Sequence, residues 1–171
     1  MNKRIPLSAA SIVPLLAGSC AGDPAVSVPE NARPNIIFIF SDDLGIGDLS
    51  CYGATRVATP HIDRLAAQGQ RFTNAYATSA TSTPSRFGLL TGMYPWRLPN
   101  TQIAPGNSEL IIDPECHTLA DAMHDAGYVT GAVGKWHLGL GPVGGTDFNV
   151  EIRPDARDIG FDLSLIHISE P

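Results

Sequence analysis

The segment Asn35-Ile36-Ile37-Phe38-Ile39-Phe40 constrains the fold more than any other. It is a continuous apolar run, rich in β-branched and aromatic residues, without the polar alternation of a half-solvated strand. Such a run is expected of a strand buried on both faces of a parallel sheet. It stops abruptly at Ser41-Asp42-Asp43-Leu44-Gly45, which sets two adjacent carboxylates at its carboxyl end.

The remaining elements fit that setting. Thr59 can cap a helix with Pro60 at its first position, Ile62, Leu65 and Ala66 share a face, and Gly69 can end it. Residues 71–78 alternate well enough for a second strand, residues 79–83 form a small polar loop, and Pro84 opens another helix. Thr118, with Asp121 three residues later, begins a third helix that carries Leu119, Ala122, Met123 and Ala126 inward and stops at Gly127. Tyr128 to Val133 reads as a third strand, and Gly139 to Gly145 as a mobile surface loop. This order is that of an α/β layered domain with a largely parallel sheet. Ligand sites in such sheets lie beyond the strand carboxyl ends. The first strand delivers Asp42 and Asp43 there and the third delivers Lys135 and His137.

The ends of the chain carry different information. Lys3 and Arg4 precede an apolar stretch from Ile5 to Leu16, too short to span a membrane, and small residues lead to Cys20. Residues 1–20 are therefore a secretion signal. Leu16-Ala17-Gly18-Ser19-Cys20 resembles a bacterial lipobox, in which the cysteine is lipidated, although Ala17 stands where a leucine is usual. Plain secretory cleavage is the other reading, and both export the protein to the periplasm or, as a lipoprotein, to the outer membrane or cell surface. Residues 21–34, with three prolines and no apolar period, read as a tether, and 35–162 as the domain. The sheet is unfinished, and residues 163–171 resemble the translation of a sequencing adapter, which implies an interrupted gene; a genuine short strand is the alternative. With Cys20 lipidated, Cys51 and Cys116 remain, and their pairing is open.

Eleven Lys and Arg against 17 Asp and Glu give a formal charge of −6, with no basic stripe, so nucleic acid is excluded as a partner. An anionic substrate would have to be held by a few local cations, a metal or helix ends. Asp42 and Asp43 offer hard oxygen ligands for Ca2+ or Mg2+, though alone such a pair also suits a turn or cap. Ser82-Thr83-Pro84-Ser85-Arg86 places a hydroxyl at a helix start and a permanent cation one turn on. Lys135 and His137, at strand-like i, i+2 spacing, would point to one side and Trp136 to the other. Taken singly, Lys135 suits a solvated surface and His137 a hydrogen-bonded core position equally well.

Two stretches carry a family resemblance. Ser82-Thr83-Pro84-Ser85-Arg86-Phe87-Gly88-Leu89-Leu90-Thr91-Gly92 resembles the first sulfatase signature, and Gly127-Tyr128-Val129-Thr130 followed by Gly134-Lys135-Trp136-His137 resembles the second. Smaller matches, Gly47 to Gly53, Thr59 to Ala66 and Gly92 to Pro95, read as scaffold; there helical spacing turns Asp63 away from the apolar face, toward solvent. The resemblance to serine-type, formylglycine-dependent sulfatases implies an alkaline phosphatase-like α/β/α fold with a mostly parallel sheet. It implies that an anaerobic-type maturase oxidises Ser82 to formylglycine. A plain serine is a poor nucleophile, whereas a hydrated aldehyde offers one hydroxyl to attack sulfur and another to expel sulfate. By the same resemblance, Asp42, Asp43 and modified Ser82 hold Ca2+, with Mg2+ as the alternative, completed by an Asp-Asn pair further along such chains. Lys135 contacts the sulfate and the formylglycine hydroxyl, Lys135 and Arg86 stabilise developing negative charge, and His137 orients or deprotonates the hydrate. The substrate would be a sulfated carbohydrate or an aryl sulfate. Since the Asp-Asn pair and a later lysine and histidine are not found here, the chain alone is expected to be inactive. A phosphoesterase of the same superfamily and a non-catalytic glycan-binding lipoprotein are the rival readings.

Overall fold

The computed structural model describes residues 33–144 and 146–167. The signal with Cys20, residues 21–32 of the tether and residues 168–171 lie outside the described residues. The chain divides after Phe40 into two units.

In the first unit, residues 35–40 do not form the expected strand. Ile36 to Phe40 are all exposed, Ile37 at 85%. The rings of Phe38 and Phe40 stack with centroids 6.3 Å apart, the i, i+2 neighbourhood of an extended chain. Strand preference is realised through cross-strand partners, and among the described residues this segment pairs with no strand.

The described residues of the second unit contain three α-helices and a parallel pair of strands. Helix α1, Pro60–Gln68, has the expected bounds, with Pro60 in the first turn and Gly69 capping through its N–H to the Leu65 carbonyl. Its Ile62 and Leu65 face solvent rather than a core. Asp63 is not solvated as expected: its carboxylate accepts from the Ser50 hydroxyl, the Cys51 N–H and the Thr59 hydroxyl. Residues 71–78 form no strand, for the same want of a partner. Helix α2, Ser82–Thr91, starts two residues before Pro84, because Thr81 is extended and proline is tolerated in a first turn where no intrahelical N–H bond is lost. Helix α3, Leu119–Asp125, opens on the expected Thr118–Asp121 capping box.

Strand β1, Gly131–Lys135, begins three residues later than Tyr128, because the Thr130 N–H and hydroxyl are tied to Asp162 and Gly160. It pairs in parallel with β2, Leu163–His167, from Gly131 opposite Leu163 to Lys135 opposite His167. Phe87 of α2 packs with Ile112, Trp136, Leu138, Leu140, Ala156 and Ile159 to form the core. The glycine-rich segment after β1 is not the surface loop expected: Gly139 to Gly141 are buried, and the Leu140 and Gly141 N–H groups donate to the Ser108 and Pro154 carbonyls. Of the described residues of this segment, only Pro142 to Gly144 are exposed. Cys51 and Cys116 are both free thiols.

Candidate active site

Helix α2 sets Ser82 at its first residue and Arg86 one turn on, close enough for Arg86 Nε to donate to Ser82 Oγ at 2.9 Å. The same guanidinium reaches the end of β1, where Nη1 donates to the Lys135 carbonyl at 2.7 Å. Its Nη2 lies 3.7 Å from Asp42 Oδ2, and Lys135 Nζ donates to that same oxygen. Three segments far apart in sequence thus bring Ser82, Arg86, Lys135 and Asp42 together. Arg86 and Lys135 expose little of their side chains, so the charges are less screened than surface ions. Two cations and a carboxylate meet here, beside a helix start whose first N–H groups have no intrahelical acceptor.

Asp43 is not drawn into this cluster. It takes a left-handed conformation, φ 53°, is exposed, and makes no hydrogen bond or ion pair with the described residues. Asp42, Asp43 and Ser82 are nevertheless hard oxygen donors in the chemistry Ca2+ or Mg2+ takes. Among the described residues, no group of three His, Cys, Asp or Glu is placed to hold a metal ion.

Lys135 and His137 do not share a strand face as the spacing suggested. Strand β1 ends at Lys135 and His137 turns left-handed, φ 54°, which breaks the alternation. Trp136 does point into the core, where its Nε1 donates to the Gly139 carbonyl at 2.8 Å. The His137 ring instead meets the Ala104 carbonyl through Nε2 at 3.0 Å.

Two residues next to this site gave no sequence signal. Thr83 occupies the unspecified position of the first signature; it is fully buried, and its hydroxyl bonds to the backbones of His137 and Ala104. Both partners are more than twenty residues away, beyond any local spacing rule. Gly88, within the signature, is explained by packing: a Cβ there would collide with the Thr78 side chain. A separate cleft of about 560 Å³, lined by Leu44, Asp48, Arg56 and Thr59 among others, includes none of the site residues above.

The family model for Sulfatase matches residues 34–152, well over half of the sequence. The chain belongs to the sulfatase family. Among its sulfatase relatives, an N-acetylgalactosamine-6-O-sulfatase of Bacteroides thetaiotaomicron is 76% identical over 134 residues, covering 78% of this chain and 26% of the relative. Human arylsulfatase A is 46% identical over 114 residues, 65% of this chain and 22% of that one. A solved structure from work on glycosaminoglycan metabolism by Bacteroides thetaiotaomicron superposes with a TM-score of 0.79 at 74% identity, over 80% of this chain and 28% of that one. The alkaline phosphatase-like α/β fold implied by the motifs agrees with that likeness. The chain spans about a quarter of the length of the curated sulfatases it matches.

Proposed function

We propose that the protein carrying this chain hydrolyses sulfate monoesters of glycans, with Ser82, once oxidised to formylglycine, at the reacting centre. The observation that carries this is the convergence of Ser82, Arg86, Lys135 and Asp42 at the start of α2. Arg86 and Lys135 bind the sulfate group and stabilise negative charge developing on its oxygens. Arg86 also orients Ser82 through its Nε–H, and His137 holds or takes a proton near the same turn. Asp42, Asp43 and Ser82 would hold a divalent cation, Ca2+ being the family's usual one, which when bound supplies further charge neutralisation. Formylglycine supplies a hydrated nucleophile that an unmodified serine lacks.

The 76% identity to an N-acetylgalactosamine-6-O-sulfatase supports a sulfated amino-sugar polysaccharide as substrate, with aryl sulfates as convenient surrogates. An anaerobic-type maturase is the partner that Ser82 requires. Export as a lipoprotein anchored through Cys20 would put the enzyme where such polysaccharides arrive.

Co-expression with the maturase, followed by mass spectrometry, tests the centre of this reading. The peptide containing Ser82 is expected to lose about two mass units. Only unmodified serine in a protein that hydrolyses sulfate esters would refute the assignment. Faster turnover of a phosphate ester than of the sulfate ester of the same leaving group would move it to phosphoester chemistry.

A further inference from the structure

We infer that Thr83, the residue the signature leaves unspecified, is a positioning residue that holds His137 in a single tautomer, with the proton on Nε2 and the lone pair on Nδ1. This rests on the reading of His137 as a proton-handling group of the site. Thr83 is fully buried, and its one hydroxyl proton is committed: Oγ1 donates to the His137 carbonyl at 2.9 Å. The same oxygen accepts the Ala104 N–H at 3.1 Å. Ala104 in turn presents its carbonyl to His137 Nε2 at 3.0 Å. The three residues form a closed circuit in which Thr83 fixes the His137 backbone and the backbone that meets the His137 ring.

The circuit decides the tautomer. A backbone carbonyl only accepts, so the Nε2 facing it carries the proton. His137 Nδ1 is buried and has no hydrogen-bond partner among the described residues. In the opposite tautomer an unpaired N–H would be buried at Nδ1 while two lone pairs faced each other at Ala104, and both changes are unfavourable. The remaining Nδ1 lone pair is what a group must have to accept a proton. Thr83 follows Ser82 directly in the chain, so the turn that carries the reacting residue also fixes the imidazole.

The bond to the His137 carbonyl also restrains a residue in a sparsely populated conformation, φ 54°. Valine has the shape of threonine without the hydroxyl, and it cannot close the circuit. Serine keeps the hydroxyl and can.

The test is a long-range proton–nitrogen spectrum of the full chain with ¹⁵N-labelled imidazoles, at about pH 8 where an ordinary imidazole is neutral. The His137 signals are identified by their loss in His137→Gln. Nε2 is expected to have a protonated, pyrrole-type shift and Nδ1 an unprotonated, pyridine-type shift, without averaging. Thr83→Ser should keep this signature, and Thr83→Val should move both shifts toward the average of the two tautomers. A proton on Nδ1 in the wild type, averaged signals there, or a Val variant indistinguishable from wild type would each overturn the inference. Should Thr83→Val lose its dispersed amide spectrum, Thr83→Ser decides, because loss of the single-tautomer signature with the hydroxyl present is incompatible with the proposed role. Failure of the sulfatase reading is separate: it shows as unmodified Ser82 in an active protein and leaves these spectra unchanged.

Discussion

Residues 41–76 and residues 81–162 are held together in different ways. In the first region, α1 and the two short 3-10 turns at Ile46–Asp48 and Ser50–Tyr52 contain no buried residue. What joins them is a polar clasp, in which Asp63 on α1 takes hydrogen bonds from Ser50, Cys51 and Thr59 while Ser50 and Thr59 bond to each other. The second region is held by burial, with Phe87, Ile112, Leu138 and Ile159 at 1% exposure. Apolar side chains are available in both, since Leu44, Val57, Ile62, Leu65 and Phe72 of the first region are all exposed. Hydrophobicity alone does not put a residue inside; a facing element must be present to pack on it. The candidate site belongs mainly to the buried region, where α2 and the end of β1 are fixed.

Truncation at matched positions should separate the regions most sharply. Phe87→Ala is expected to cost about 3–5 kcal/mol of unfolding free energy, the range for a large aromatic removed from a close-packed core. Leu65→Ala, at a position 62% exposed on α1, should change it by no more than about 0.5 kcal/mol. Urea titration of the full chain reads both. Equal losses would mean that the face of α1 is covered in solution and that the contrast between the regions is false.

A smaller effect is expected at glycines. Gly139 has φ 70°, and a Cβ there would run into the Glu109 carbonyl. Gly139→Ala combines overpacking with a left-handed alanine, at about 2–4 kcal/mol. Gly47 in the first region has nothing within 4 Å of a new Cβ, so Gly47→Ala should be close to neutral. Thermal melts of the two variants check this, and a tolerant Gly139 would show that the segment after β1 is the mobile loop its glycine content suggests.

These contrasts also mark what the sequence could disclose. The helix starts were legible because capping is local: Thr118 and Asp121 lie three residues apart, and Thr59 and Pro60 are adjacent. The strands at 35–40 and 71–78 were not, because a strand needs a partner that no window of sequence contains. β1 was found with its start misplaced, because Asp162, 32 residues away, ties down Thr130. In the site, Ser82 and Arg86 were legible as a helical pair one turn apart. Their meeting with Asp42 and Lys135, and the role of Thr83 between His137 and Ala104, depend on contacts between residues from 21 to 93 positions apart. The alternation that paired Lys135 with His137 failed because the strand ends between them. The buried Leu140 was misread because a run of glycines looks the same whether it floats or packs.

The smallest expected effect tests the clasp itself, through pH. The Ser50 hydroxyl hydrogen bond is the main influence lowering the Asp63 pKa from its ordinary 3.8; desolvation opposes it, and the Thr59 hydroxyl and Cys51 N–H add to the lowering. With the folded value below the unfolded one, the unfolded chain binds the proton first as acid is added. The clasp therefore contributes fully above the unfolded value and loses that contribution as pH falls through the lower, folded one. In a carboxyl-carbon NMR titration, Asp63 should titrate at a lower pH than the ordinary value, and the Cys51 amide shift should follow the same curve. Asp63→Asn should remove that curve from the Cys51 amide, because an amide does not titrate there, while the resonances of Phe87 and Ile112 stay in place. If the Phe87 and Ile112 resonances moved together with Cys51, the two regions would be one cooperative body, and the separation between polar clasp and buried core would not hold.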